Sequence, residues 1–219
     1  MDFERDYILR LIQMMGDFMR RIAEKMDDLE RGRMLDMECR KLCGMSMEAG
    51  ASLAFESLRE MLSPMPRYML SELLYVKAMA SSSLPIEEAD QLLIKALRLL
   101  ATLHTEARLC DLRAQRLDEI KAAVFMQLTA ADLMDCARFF AQAERYDLME
   151  DTLFQALART SVQERVQTLD EAVSMLRRGA KATENALALC GMTADELRQA
   201  AHELETQTIT SQDKQGVST

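Results

Sequence analysis

The chain has 219 residues, 49% of them hydrophobic and 29% charged, with 36 acids against 27 bases and a net charge of −9. That much apolar material builds a core without disulfides or a structural metal. The negative balance repels a phosphate backbone and excludes nucleic acid as the expected partner.

Pro and Gly are scarce, at three and seven, while Ala, Leu, Met, Glu and Arg, the residues that lose least on entering a helix, are abundant. No set of period-two runs marks strands. The expected fold is therefore all-α, made of antiparallel helix pairs. The opening MDFERDYILRLIQ has no signal-peptide pattern, and no run approaches the roughly 20 apolar residues that cross a bilayer. Five scattered cysteines, an odd number, suit a reducing compartment. These features lead to the expectation of a cytoplasmic protein with no membrane association.

In chain order, the first helix is expected from about Asp2 to Leu29, since Ile8, Ile12, Met15, Met19, Ile22, Met26 and Leu29 keep a 4-3-4-3-4-3 spacing. A second stripe of Tyr7, Leu11, Met14 and Phe18 widens the apolar arc, so the helix touches neighbours on two sides. Either both neighbours belong to the same chain, or the heptad seam supports a homodimer. Residues 1–80 form a Met-rich half holding 13 of the 18 methionines. Such side chains fill irregular cores and also suit adaptable surfaces.

Two corners echo each other, Leu42-Cys43-Gly44-Met45-Ser46 and Leu189-Cys190-Gly191-Met192-Thr193. In each, glycine supplies the left-handed residue that ends one helix, and Ser46 or Thr193 caps the next. Thr193 with Glu196 and Ser161 with Glu164 read as capping boxes, and Thr129 with Asp132 as a weaker one. Helix starts are thus expected near 47, 130, 162 and 194. Ser63-Pro64-Met65-Pro66 and Ser81-Ser82-Ser83-Leu84-Pro85 are breaks. Between them Tyr68 to Ala80 is apolar nearly all round, which places that helix at the centre. Another helix is expected from Thr105 to Gln127. Residues 161–205 supply the C-terminal helices and complete a single domain, 1–205. The polar stretch 206–219 reads as a flexible tail.

From Leu133 onward, Leu133, Cys136, Ala137, Phe140, Ala143, Tyr146, Met149, Leu153, Ala156 and Leu157 fall on the small-and-large pattern of a helix pair that resembles a tetratricopeptide repeat. Ala89, Leu93, Ala96 and Leu97 resemble the second helix of another copy. Glu144 stands where the turn glycine is usual and Met149 where alanine is usual, and no proline closes the unit. The resemblance implies a short tetratricopeptide-like array over 84–160 that binds protein or peptide. The opening Asp6-Tyr7-Ile8-Leu9-Arg10-Leu11-Ile12 and the general layout also resemble an uncharacterised bacterial family of helical proteins, which implies no activity.

Catalytic signatures are missing: there is no phosphate-cradling loop, nucleophile elbow or H-E-x-x-H pair. The only histidines are His104 and His202. His202 with Glu205, or Cys39 with Cys43 amid methionines, could hold a metal, but chance and packing account for both, so no metal or cofactor is expected. Arg113 and Arg116 project within the apolar arc of Leu109, Leu112, Leu117, Ile120 and Val124. Each lays its stem along the core and lifts its guanidinium out, pairs with a carboxylate of a neighbouring helix, or receives a carboxylate of a peptide or acidic ligand. By the repeat alignment, Met134, Arg138, Ala141 and Gln142 line a concave surface. Arg177, Arg178 and Lys181 make a basic cluster that reads as solvated. The expected function is a non-enzymatic adaptor or scaffold for a protein or peptide, with Arg113, Arg116, Met134, Arg138 and Gln142 as its binding residues. The alternative is a helical sensor for a small acidic or apolar ligand.

Overall fold

A computed structural model describes residues 2–25, 27–80 and 84–215, with side chains described for all of these except 2–5, 19, 23–25 and 207–215. The described residues form twelve α-helices and a single 3-10 turn, with no strand among them. The chain divides into two compact units, 1–128 and 129–219, where composition alone leads to one domain. The division falls inside the 84–160 segment, at extended Leu128 and the helix cap Thr129.

Unit 1 begins with α1 (Asp2–Lys25) and α2 (Asp28–Cys43), so the single helix expected to reach Leu29 is two. The reason is local: the Asp27 carboxylate accepts the Glu30 amide at 2.8 Å and starts a new helix. Ile8, Leu11, Met15, Phe18 and Ile22 of α1 are buried within the chain, whereas Tyr7 and Met14 are exposed. The buried set takes members from both expected stripes, because a straight helix drifts across a strict seven-residue repeat. The seam positions Met19 (side chain) and Met26 lie outside the described residues.

The first corner forms as expected. Gly44 has φ 71°, and the Ser46 hydroxyl accepts the Ala49 amide to open α3 (Met47–Ser52). After α4 (Phe55–Met61), Leu62 is extended and α5 (Pro64–Ala80) starts on Pro64. Proline is favourable there because the first turn has no intrahelical use for its amide. The helix therefore begins four residues before Tyr68. Arg67 turns back and donates through Nη2 to the Arg59 and Leu62 carbonyls at 2.9 and 3.0 Å, fastening the corner.

α5 is the centre of unit 1, packing chiefly on α6 (Ile86–Ala101) and α2, and also touching α1 and α3. Residues Tyr68 to Leu74 are all buried, and the Ser71 hydroxyl donates to the Ala96 carbonyl at 2.9 Å. Lys95 of α6 reaches the Ala51 carbonyl and, at 2.8 Å, the Leu53 carbonyl, placing a cation on the C-terminal end of α3. Of the expected 81–85 break, Ser81–Ser83 lie outside the described residues, and Leu84 and Pro85 precede α6 without being helical. α7 (Ala107–Val124) ends in the 3-10 turn Phe125–Gln127, where a continuous helix is expected.

Unit 2 opens with α8 (Ala130–Gln142) and α9 (Tyr146–Arg159), a closely packed pair. Thr129 and Asp132 form a complete capping box. The turn between these helices carries Glu144 at φ 54°. α10 (Arg165–Gly179) starts three residues later than the 162 expected, since the Ser161 hydroxyl bonds the Glu164 carboxylate at 2.8 Å and the intervening residues form a turn. α11 (Glu184–Leu189) is short, and Gly191 then repeats the left-handed corner at φ 69°. Thr193 and Glu196 exchange their capping bonds and open α12 (Ala194–Gln215), which packs along α10. The backbone over 206–215 thus continues as helix where a tail is expected, because each residue added to an anchored helix gains a bond without a new nucleation cost. Residues 216–219 lie outside the described set.

Two outcomes follow from these placements. Ile22 is fully buried, so Ile22→Asp should place an unpaired carboxylate in the core at a cost of several kcal/mol. Circular dichroism should show lost helicity, and sedimentation should show no smaller folded species. Glu144→Gly should raise stability by about 0.5 kcal/mol, the relief of a left-handed side chain less the entropy glycine brings to the unfolded chain. The urea midpoint should rise at unchanged slope, and Glu144→Val should lower it.

Candidate functional site: a buried ion cluster and an open basic groove

Of the sequence-predicted residues, Arg113 and Arg116 lie in unit 1 and Met134, Arg138 and Gln142 in unit 2. Arg113 and Arg116 stand three residues apart on α7, one helical turn, and so reach the same neighbour on α5. That neighbour is Glu72, only 1% exposed. Arg113 donates to Glu72 Oε1 through Nε at 3.1 Å and also through Nη2, while Arg116 Nε lies 3.6 Å from Oε2. Arg116 also donates to Glu119 at 2.6 Å. Its guanidinium carbon lies 3.9 Å from the Tyr75 ring centroid, and that of Arg113 lies 5.8 Å from the Tyr68 ring.

The cluster holds two arginines and two glutamates and is balanced within the chain. Burial pulls the Arg113 guanidinium down, but the Glu72 charge, aided by Tyr68 and Glu119, outweighs it and leaves the group more firmly protonated than usual. Burial, with Glu72 beside it, pushes the Tyr68 hydroxyl above the ordinary phenol range. That hydroxyl is buried without a hydrogen-bond partner among the described residues. The carboxylate expected from a neighbouring helix or from a ligand is thus Glu72, and the cluster fastens α7 to α5.

In unit 2, Arg138 makes a bidentate pair with Glu171 of α10, with Nε to Oε1 at 2.7 Å and Nη2 to Oε2 at 2.8 Å, and also contacts Asp135. These partners hold it more firmly protonated than an isolated arginine. Met134 is buried, which corrects its expected place on a concave surface. It follows Leu133 and precedes Cys136 and Ala137 on a helix whose buried arc is wider than the alignment assumed. Gln142 is exposed at the end of α8.

Arg177, Arg178 and Lys181, which the sequence marks as merely solvated, line a recess of this unit. Asp170, Val173, Ser174, Arg177, Arg178 and Lys181, with Glu205 of α12, border an open groove of about 660 Å3. Arg177 is ion-paired with Glu205, which also takes that carboxylate from the imagined metal pair with His202. Arg178 reaches only the Ser174 carbonyl, at 3.4 Å, and Lys181 makes no ion pair among the described residues. Unit 1 also carries recesses. One of about 130 Å3 lies among Leu11, Met14, Phe18, Glu38, Leu42 and Met69. Another, of about 360 Å3, is bordered by Asp28, Asp36 and Glu48 with Lys77 as its one described cation.

No group of three or more His, Cys, Asp or Glu is placed to hold a metal among the described residues. All five cysteines are free thiols. Compared with family models, curated proteins and solved structures, the chain matches none.

The ion cluster gives a stability prediction. Glu72→Gln leaves the largely buried Arg113 guanidinium facing a neutral amide, while Arg116 keeps Glu119, and should cost about 3 kcal/mol. Replacing the three most buried of its four members, Glu72→Leu with Arg113→Met and Arg116→Met, should cost far less, because the remaining Glu119 is exposed and no buried charge is then stranded. Urea unfolding of the two variants orders them, and an equal loss in both would show that the charges are not what binds α7 to α5.

Proposed function

We propose that the chain is a non-enzymatic adaptor or scaffold that holds a protein or peptide segment on an exposed helical surface. The observation that carries this reading is the groove over α10 and α12, which is several hundred Å3 in volume and more open than enclosed. Small-molecule sites enclose most of their ligand, whereas a chain segment can lie in a trough. The 360 Å3 recess supports a sensor less well, since three carboxylates around one lysine suit neither an acidic nor an apolar ligand. A tetratricopeptide-like role for the α8–α9 pair belongs to the same proposal, supported by the left-handed Glu144 at the position where such pairs turn.

Cytoplasmic placement is also part of the reading. It is supported by five free thiols and by the finding that no helix among the described residues is long and apolar enough to cross a membrane. Self-association through α1 would rest on Tyr7 and Met14, the exposed part of its apolar surface.

Ser174 is exposed within the groove, so Ser174→Tyr should fill it without disturbing the core. Protein immobilised and exposed to lysate of the cells that make it should retain a partner that the Ser174→Tyr variant, equally helical by circular dichroism, fails to retain. An unchanged set of captured proteins would remove the groove from the proposal.

A further inference from the structure

We propose that the segment held in the α10–α12 groove is an acidic peptide, whose carboxylates are received by Arg178 and Lys181. The inference rests on the adaptor reading above and adds the chemistry of the partner.

Its basis is the pairing of cations within unit 2. Arg138, Arg145, Arg177 and Arg198 each have a carboxylate of the same chain as partner, namely Glu171, Asp147, Glu205 and Asp195. Arg178 and Lys181 lack one among the described residues, as does Arg165 at the opposite end of α10, outside the groove, although the chain has nine more acids than bases. Their position at the end of α10 lets them face the negative end of its dipole, which explains why cations are tolerated there. It does not explain why three of them border one recess.

The Arg177–Glu205 pair matters here because it ties α10 to α12 at the groove edge and leaves its neighbours to act outward. Val173 lies between the basic end and Asp170, so the groove is polar at both ends with an apolar residue between. A segment with two or more acids near the Lys181 end and an apolar side chain over Val173 is complementary to it, while the opposite orientation sets acid against Asp170. Arginine forks favour paired carboxylates. A nucleic acid strand presents anions too, but it spreads them along its length, next to Asp170 and a strongly negative protein.

The test is fluorescence anisotropy on the full chain with three labelled probes: a peptide of alternating Glu-Glu-Leu triplets, the same peptide with Gln for Glu, and a single-stranded RNA oligonucleotide of equal charge. The Glu peptide is expected to bind, to weaken as salt rises, and to lose about tenfold in affinity to the variant carrying Arg178→Glu and Lys181→Glu. Both residues are exposed, and circular dichroism checks that this variant keeps its helices. Equal binding of the Gln peptide, tighter binding of the RNA, or an unchanged affinity in the double variant would each overturn the proposal. If the Glu peptide fails while Ser174→Tyr still abolishes a lysate partner, the acidic chemistry is wrong and the adaptor reading survives. Failure of both removes the two together.

Discussion

Glu72 sets the strictest condition in unit 1. A carboxylate that is 1% exposed in the middle of the central helix needs a cationic partner to offset its lost hydration, and α7 is the element that supplies two. The consequence reaches beyond one ion pair. α5 is apolar on most sides, and its rotation about its axis is fixed by its few polar contacts, Ser71 on the Ala96 carbonyl and Glu72 on α7. Of these, the single charge must meet both Arg113 and Arg116. Net stabilisation from such a cluster is small compared with an apolar replacement, and its effect is to make misplaced packing costly.

Much of the helical order was legible in the sequence because it depends on neighbours a few residues apart. Gly44 and Gly191, Thr129 with Asp132, and Thr193 with Glu196 act within one turn, and each does in the structure what its spacing implies. Asp27 carries the same kind of signal, with Glu30 three residues on, but the heptad that runs unbroken across it masks the helix boundary. The features that escaped depend on contacts distant in sequence. Arg67 on the α4 carbonyls and Lys95 on the end of α3 cap helices from outside, and no local pattern announces them. The two corner cysteines extend the echo in a way that only coordinates reveal. Cys43 donates to the Pro66 carbonyl and Cys190 to that of Glu144, each tying its corner to a different helix start or turn.

The candidate binding residues were less legible, and the reason is physical. Arg113 and Arg116 were selected because arginine within an apolar arc demands an acid. That reasoning does not say which acid, though Glu72, the one charged residue from Met69 to Leu74, has the complementary need. Two groups that each look anomalous by themselves satisfy one another. Met134 failed for a different reason, since the repeat alignment fixes which residues share a face but not how much of that face its neighbours cover.

Charge in this protein is therefore informative chiefly where it is left over. A guanidinium that finds a carboxylate in its own chain serves the fold, and the arginines at 113, 138, 145 and 177 do so by different geometries, from the bidentate pair with Glu171 to the buried cluster on Glu72. Residue type cannot distinguish these from a cation kept for a partner. Arg178 resembles Arg177 in the sequence, adjacent and on the same helix, yet a rotation of about 100° per residue takes it away from Glu205. One step along α10 separates an arginine that holds two helices together from one that borders the groove without a carboxylate partner among the described residues.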